Sequence, residues 1–129
     1  MQRYDFEASI GYWLTLATQA YHRAMSDELA PHGITVRQAQ VLGWLAMEGD
    51  LSQAALAQRM MVEPPRLAAI LDGMARVGWI RRRVCQADRR RKYIQLGAAA
   101  GRVGTACWQR LEKSGLKRQR GSPRARRKR

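Results

Sequence analysis

Between Pro64 and Val77, the apolar residues Leu67, Ile70, Leu71, Met74 and Val77 recur at intervals of three and four, which places them on one stripe of a helix. The opposite face carries Pro65, Ala69, Asp72, Gly73 and Arg76, with Arg66 at its edge. Two consecutive prolines fit the first turn, where their missing N–H groups would have had no partner, and Gly78 suits a left-handed residue just past the end. The period then changes. Trp79 to Cys85 and Arg90 to Leu96 read as strands around a polar turn, Gln86 to Arg89, giving a hairpin with arginines concentrated toward its tip. A helix followed at once by such a hairpin suggests a device for reading duplex DNA, the helix entering the major groove and the hairpin reaching nearby phosphates or the minor groove.

Upstream, residues 8 to 30 predict a long helix with Ile10, Trp13, Leu14, Ala17, Tyr21 and Ala24 on one stripe and Tyr12 and Leu16 outside it. Apolar side chains on two faces imply a second covering surface, either a subunit interface or a small-molecule pocket, although an aromatic stripe also reads as plain core. Pro31-His32-Gly33 ends this helix; His32 and His22 read as surface residues without a catalytic or ligand partner. Thr35 and Gln38 form a capping box for a second helix that carries Val41, Leu42, Trp44 and Leu45. Gly49-Asp50 breaks the chain, Leu51 offers a strand of one or two residues, and Ser52 caps a short helix from Gln53 to Met60 with Leu56, Ala57 and Met60 inward. Met61 to Glu63 then make a tight connection into the helix at Pro64. Two short helices so joined make a helix-turn-helix, and the hairpin makes it winged.

With 129 residues the chain suits one domain. Its formal charge of +14 is placed, not spread: residues 76 to 92 hold eight basic side chains and one acidic, and residues 113 to 129 hold nine basic and none acidic, while residues 1 to 75 are net negative. Clustered Lys and Arg displace phosphate counterions, so the balance points to a polyanionic partner. Two cysteines, Cys85 and Cys107, are too few for a disulfide framework or a zinc site. Cys85, flanked by arginines, reads as a strand residue or as a redox-sensor position. No signal-peptide pattern or bilayer-length apolar run is present, which implies a cytoplasmic protein. Two isolated histidines, no phosphate loop and no ligand cluster argue against an enzyme, a metal or a cofactor.

Residues 35 to 96 resemble the winged helix-turn-helix of the MarR family of bacterial transcription regulators. The resemblance is carried by Thr35, Gln38-Ala39-Gln40-Val41-Leu42 and Leu45-Ala46, then Leu51-Ser52-Gln53 with Leu56-Ala57, Ile70-Leu71-Asp72 with Met74, Gly78-Trp79-Ile80-Arg81-Arg82, and Asp88-Arg89-Arg90-Arg91-Lys92 with Ile94 and Leu96. It implies a mainly α fold with a small β-hairpin, a homodimer, and binding of double-stranded DNA at pseudo-palindromic operators. It also implies repression that is relieved by a small aromatic ligand or an oxidant. By position it implies base contacts from Pro65, Arg66 and Ala69, a backbone contact from Arg76 and minor-groove contacts from Arg89 or Arg90. Asp72 and Asp88 would support the wing, and Trp13, Tyr21 and Trp44 are the candidate effector pocket, although each also reads as core.

The chain departs from the family in three places. The start of the helix at Pro64 lacks the usual hydroxyl and amide residues, leaving Arg66 as its evident base reader, so readout would be narrow or would rest on DNA shape. No cysteine precedes Cys85, which disfavours oxidant sensing by the family's N-terminal route. After the wing, the family has a long helix and a final helix that complete the dimer, whereas only 33 residues follow Leu96. The resulting expectation is a winged domain over 1–112, with a DNA-binding lobe over 35–96, dimerisation parts over 8–30 and 98–113, and a basic disordered tail over 114–129. In the segment 98–113, Val103, Cys107 and Leu111 share one line, and Gly101 and Gly104 each cost the helix about 1 kcal/mol. The tail reads either as a basic arm or as a C-terminus altered by a reading-frame change. Two other function classes fit the charge: a sequence-indifferent nucleic-acid or architectural binder driven by wing and tail, and a winged module that binds another protein. If the tail touches phosphate, truncation after Lys113 will weaken DNA binding and flatten its salt dependence, by about 0.9 in log–log slope for every phosphate the tail had neutralised. An unchanged slope makes the tail a bystander.

Overall fold

The computed structural model describes residues 5–113. The elements follow in the order α1 (Ile10–Leu29), a 3-10 turn (Ala30–His32), α2 (Val36–Glu48), β1 (Leu51–Ser52), α3 (Gln53–Met60), α4 (Pro64–Arg76), β2 (Ile80–Val84), β3 (Lys92–Leu96) and α5 (Ala100–Lys113). The fold is mainly α with a three-stranded antiparallel sheet in the order β1-β3-β2. Leu51 pairs with Ile94, and Arg82 with Ile94 on the other side.

Local chemistry sets most boundaries. Thr35 Oγ1 accepts from the Gln38 N–H at 3.2 Å and Gln38 Oε1 accepts from the Thr35 N–H at 2.9 Å, closing the capping box of α2. Ser52 Oγ accepts from the Ala55 N–H at 3.1 Å at the start of α3. At the end of α4 the Gly78 N–H donates to Ala75 O and the Trp79 N–H to Met74 O, with Gly78 at φ 75°. That paired closure is a Schellman motif, which needs a left-handed residue at Gly78. The turn between α3 and α4 also needs one and places Met61 there, at φ 50°, with its side chain exposed.

The core lies where the five helices meet the inner face of the sheet. Leu29 of α1, Val41 of α2, Leu56 of α3, Leu67, Leu71 and Met74 of α4, and Ile94 of β3 are fully buried, and Ile80 nearly so. α5 contributes Ala100 and Cys107, with Val103 packed behind them. Burial pushes the Cys107 thiol pKa up. The side chain of Leu111, and all of 114–129, lie outside the described residues.

Several expectations are corrected. The stripe Ile10, Trp13, Leu14 and Tyr21 does not form core within this chain: it is exposed, and α1 is anchored instead through Met25 and Leu29 near its C-terminal end. A 20-residue helix packed mainly at one end leaves its other turns uncovered. Val77 does not extend the buried stripe of α4; it is the C-cap residue, where the chain leaves the helical path, and is exposed. His22 and His32 are half-buried, not fully at the surface. α1 and α5 each begin two residues later than the sequence pattern suggests.

The stem of the hairpin depends on a glycine. The Gly97 N–H donates to Trp79 O at 2.8 Å, and a Cβ at Gly97 would overlap Gly78 O, with the carbonyl carbon of Gly78 at 2.9 Å. Gly97→Ala is therefore expected to destabilise the fold by roughly 2 kcal/mol or more through backbone displacement. Gly101→Ala, in open space within α5, is expected to stabilise it by up to about 1 kcal/mol. Denaturant melts of the two variants check both signs.

Candidate nucleic-acid interface

Burying Leu67, Leu71 and Met74 turns the opposite face of α4 outward, and Pro65, Arg66, Ala69, Asp72 and Arg76 are all exposed there. Pro64 and Pro65 fill the first two helical positions, and Glu63 at the N-cap makes no side-chain capping bond. Beside this helix stands the wing. Strand alternation puts Ile80 and Arg82 on the same face of β2, and because Ile80 is buried against the core, Arg82 is aimed toward α4. Its Nη1 donates to Asp72 Oδ1 at 2.5 Å and its Nη2 to Ala68 O at 3.2 Å. Arg81 and Arg83 point the other way, into solvent.

The far end of the wing is ordered by Asp88. Its Oδ1 accepts from the Arg90 N–H at 3.0 Å, its carboxylate lies 3.8 Å from Arg91 Nε, and its carbonyl accepts from the Arg91 N–H. The turn therefore spends its one acid on shaping the tip, leaving the Arg89 and Arg90 side chains exposed. A hydrogen bond from Gln95 Nε2 to Asp50 ties β3 to the turn before β1. Between the wing tip and the α3–α4 turn lies an open cleft of about 1220 Å³, with Arg90, Arg91 and Lys92 on one wall and Gln53, Gln58, Glu63 and Pro64 on the other. Arg59 of α3 is already committed: its Nε and Nη2 donate to the two Glu48 oxygens at 3.1 and 3.0 Å, and that pairing raises its pKa.

The residues expected from sequence fall into two groups. Pro65, Arg66, Ala69 and Arg76 share the outer face of α4, and Arg89 and Arg90 occupy the tip of the wing, next to the cleft. Asp72 and Asp88 both bond within or onto the wing. The three aromatics divide: Trp13 and Tyr21 are exposed on α1, whereas Trp44 of α2 is half-buried against the core, and none of them lines the cleft at the wing. Sequence reasoning did not single out Arg82, Gln95 or Gly97. For Arg82 a signal was present, since counting alternate residues from Ile80 selects it from three consecutive arginines.

An amphipathic helix with a bare outer face, set beside a cationic hairpin across an open cleft, defines a winged helix-turn-helix DNA-binding protein. A sequence model of the MarR family matches residues 32–91. Among solved structures, the chain resembles a cysteine-to-serine mutant of MarR from E. coli complexed with operator DNA (TM-score 0.80, 20% identity, covering 88% of this chain and 81% of that one). It also resembles the transcriptional regulator PA4135 (TM-score 0.77, 25% identity, 83% and 79% covered). A third likeness is to a point mutant of S. aureus MepR bound to an oligodeoxyribonucleotide (TM-score 0.66, 22% identity, 83% and 79% covered). No curated protein sequence matches it. Over residues 32–91 the chain matches the MarR family of winged helix-turn-helix, DNA-binding transcription regulators, a family of regulators and not of enzymes. Among the described residues, no helix is long and apolar enough to cross a membrane.

The Asp72–Arg82 pair is open to solvent, its side chains 60% and 29% exposed, so it adds no more than about 1 kcal/mol to stability. The bond joins β2 to α4, so its expected effect is on the angle of the wing. Asp72→Asn is expected to leave the melting transition nearly in place while weakening DNA binding severalfold and evenly across sequences. Loss of preference at one base position would instead put Asp72 on the bases.

Proposed function

We propose that this regulator binds a pseudo-palindromic operator as a homodimer and represses transcription until a small aromatic compound releases it. The observation that carries the reading is the combination of two surfaces on one chain: the outer face of α4 with the wing arginines beside it, and the uncovered apolar face of α1. On the first, Pro65, Arg66 and Ala69 would meet base edges, Arg76 the backbone, and Arg89 or Arg90 the minor groove at the wing tip. The likeness to a MarR mutant solved in complex with operator DNA supports duplex DNA as the partner of this surface.

On the second surface, Ile10, Trp13, Leu14 and Tyr21 leave large apolar side chains exposed along one stripe of α1, and exposed apolar patches mark interaction sites. A second copy covering α1 would bury it and set two α4 helices on one face of the duplex, one half-site each. Trp13, Tyr21 and Trp44 would offer rings for an aromatic effector to stack on near that junction.

Selection of bound duplexes from a random library at near-physiological salt tests the reading. The expected product is an inverted repeat with half-sites about one helical turn apart. Arg90→Ala is expected to lower affinity for selected and unselected duplexes alike, because a phosphate or groove-edge contact carries little sequence information. Binding at low salt with no enriched sequence would favour a sequence-indifferent nucleic-acid binder driven by the wing, a reading supported by seven exposed cations between Arg81 and Lys92, of which one, Arg82, is tied to α4. Weak binding even at low salt would favour a protein partner.

A further inference from the structure

The N-terminal end of α4 lacks two of the four backbone donors with which a helix end holds a phosphate. Helix N-termini bind anions through free backbone N–H groups and the positive end of the helix dipole. Here Pro64 and Pro65 remove the donors of the first two positions, and exposed Glu63 puts a carboxylate at the mouth. End-on attachment to the DNA backbone is thereby weakened, which leaves the side of α4 as its main surface toward the duplex.

That side is chemically sparse. Asp72 is occupied by Arg82, and Gly73 has no side chain. Arg66 is exposed and has no hydrogen-bond or ion-pair partner among the described residues, while Pro65 and Ala69, one helical turn apart, are exposed and purely apolar. A guanidinium fork matches the O6 and N7 acceptors of guanine, and small apolar side chains match the C5-methyl of thymine. No exposed amide or hydroxyl stands on this face between Pro64 and Arg76 to pair with adenine. We propose that α4 reads each half-site as a single guanine, held by Arg66, beside thymine methyl groups packed on Pro65 and Ala69. This rests on the operator-binding reading above and specifies what that operator displays in its major groove.

Base analogues test it without altering the fold. With the full-length chain and its selected duplex, each guanine is replaced in turn by 7-deazaguanine, which lacks the N7 acceptor, and each thymine by uracil, which lacks only the methyl. One 7-deazaguanine per half-site is expected to lower affinity about tenfold. One or two uracils beside it are expected to cost about fourfold each, the worth of one buried methyl group. Arg66→Ala is expected to abolish the 7-deazaguanine penalty and keep the uracil penalties. A selected duplex that tolerates every uracil, or a 7-deazaguanine penalty that survives Arg66→Ala, overturns this inference and leaves the operator-binding reading standing. Failure to select any sequence removes that reading, and this one with it.

Discussion

Leu67, Leu71 and Met74 are fully buried on the inner stripe of α4, and removing that surface from water fixes the rotation of the helix about its axis. A helix with a narrower or more symmetric apolar stripe could roll; this one cannot without exposing three large side chains worth roughly 1.5–3 kcal/mol each. Once the inner stripe is fixed, Pro65, Arg66, Ala69 and Arg76 face outward, and Asp72 faces the hairpin. The chemistry that the proposed function turns toward DNA is thus set by a constraint that contains no charge at all.

The wing is positioned by a different kind of contact. Ile80 and Ile94 attach its stem to the core, Gly97 allows the strand to pass close to Gly78, and polar ties at Asp72–Arg82 and Asp50–Gln95 set its lean. None of the polar ties is buried, so their contribution to stability is small beside that of the stem. Their value is angular, because they hold the strand that carries the other arginines at one inclination to α4. Among the described residues, Arg82 pairs with Asp72, Arg59 with Glu48 and, at a longer distance, Arg91 with Asp88.

α1 behaves unlike the other helices. Among the described residues, α1 buries Met25 and Leu29 near its C-terminal end, and the preceding turns carry Ile10, Trp13 and Leu14 into solvent. In the proposed dimer these turns become core of the assembly, so the stability of the folded chain and the spacing of its two reading helices depend on the same surface. Any small molecule wedged among those aromatics would alter half-site spacing before it altered the DNA-binding lobe itself.

Helical periodicity, the Thr35–Gln38 box, the Ser52 cap, the paired prolines and Gly78 are local signals, and they located all five helices to within two residues because capping and turn chemistry act over three or four positions. The clustering of arginine in a hairpin was equally local. Which side of an amphipathic helix finds a neighbour is a different matter: the α1 stripe looks like core in sequence and is exposed in the chain, since burial requires a second surface that periodicity does not report. The partner of Asp72 was likewise open among the wing arginines until strand register selected Arg82. Gly97 gave no signal, because the backbone it must clear belongs to Gly78, nineteen positions earlier. Short-range chemistry thus dictated the elements and their charge, while the faces they show were chosen by packing between distant segments, which depends on shape and on water exclusion at the core.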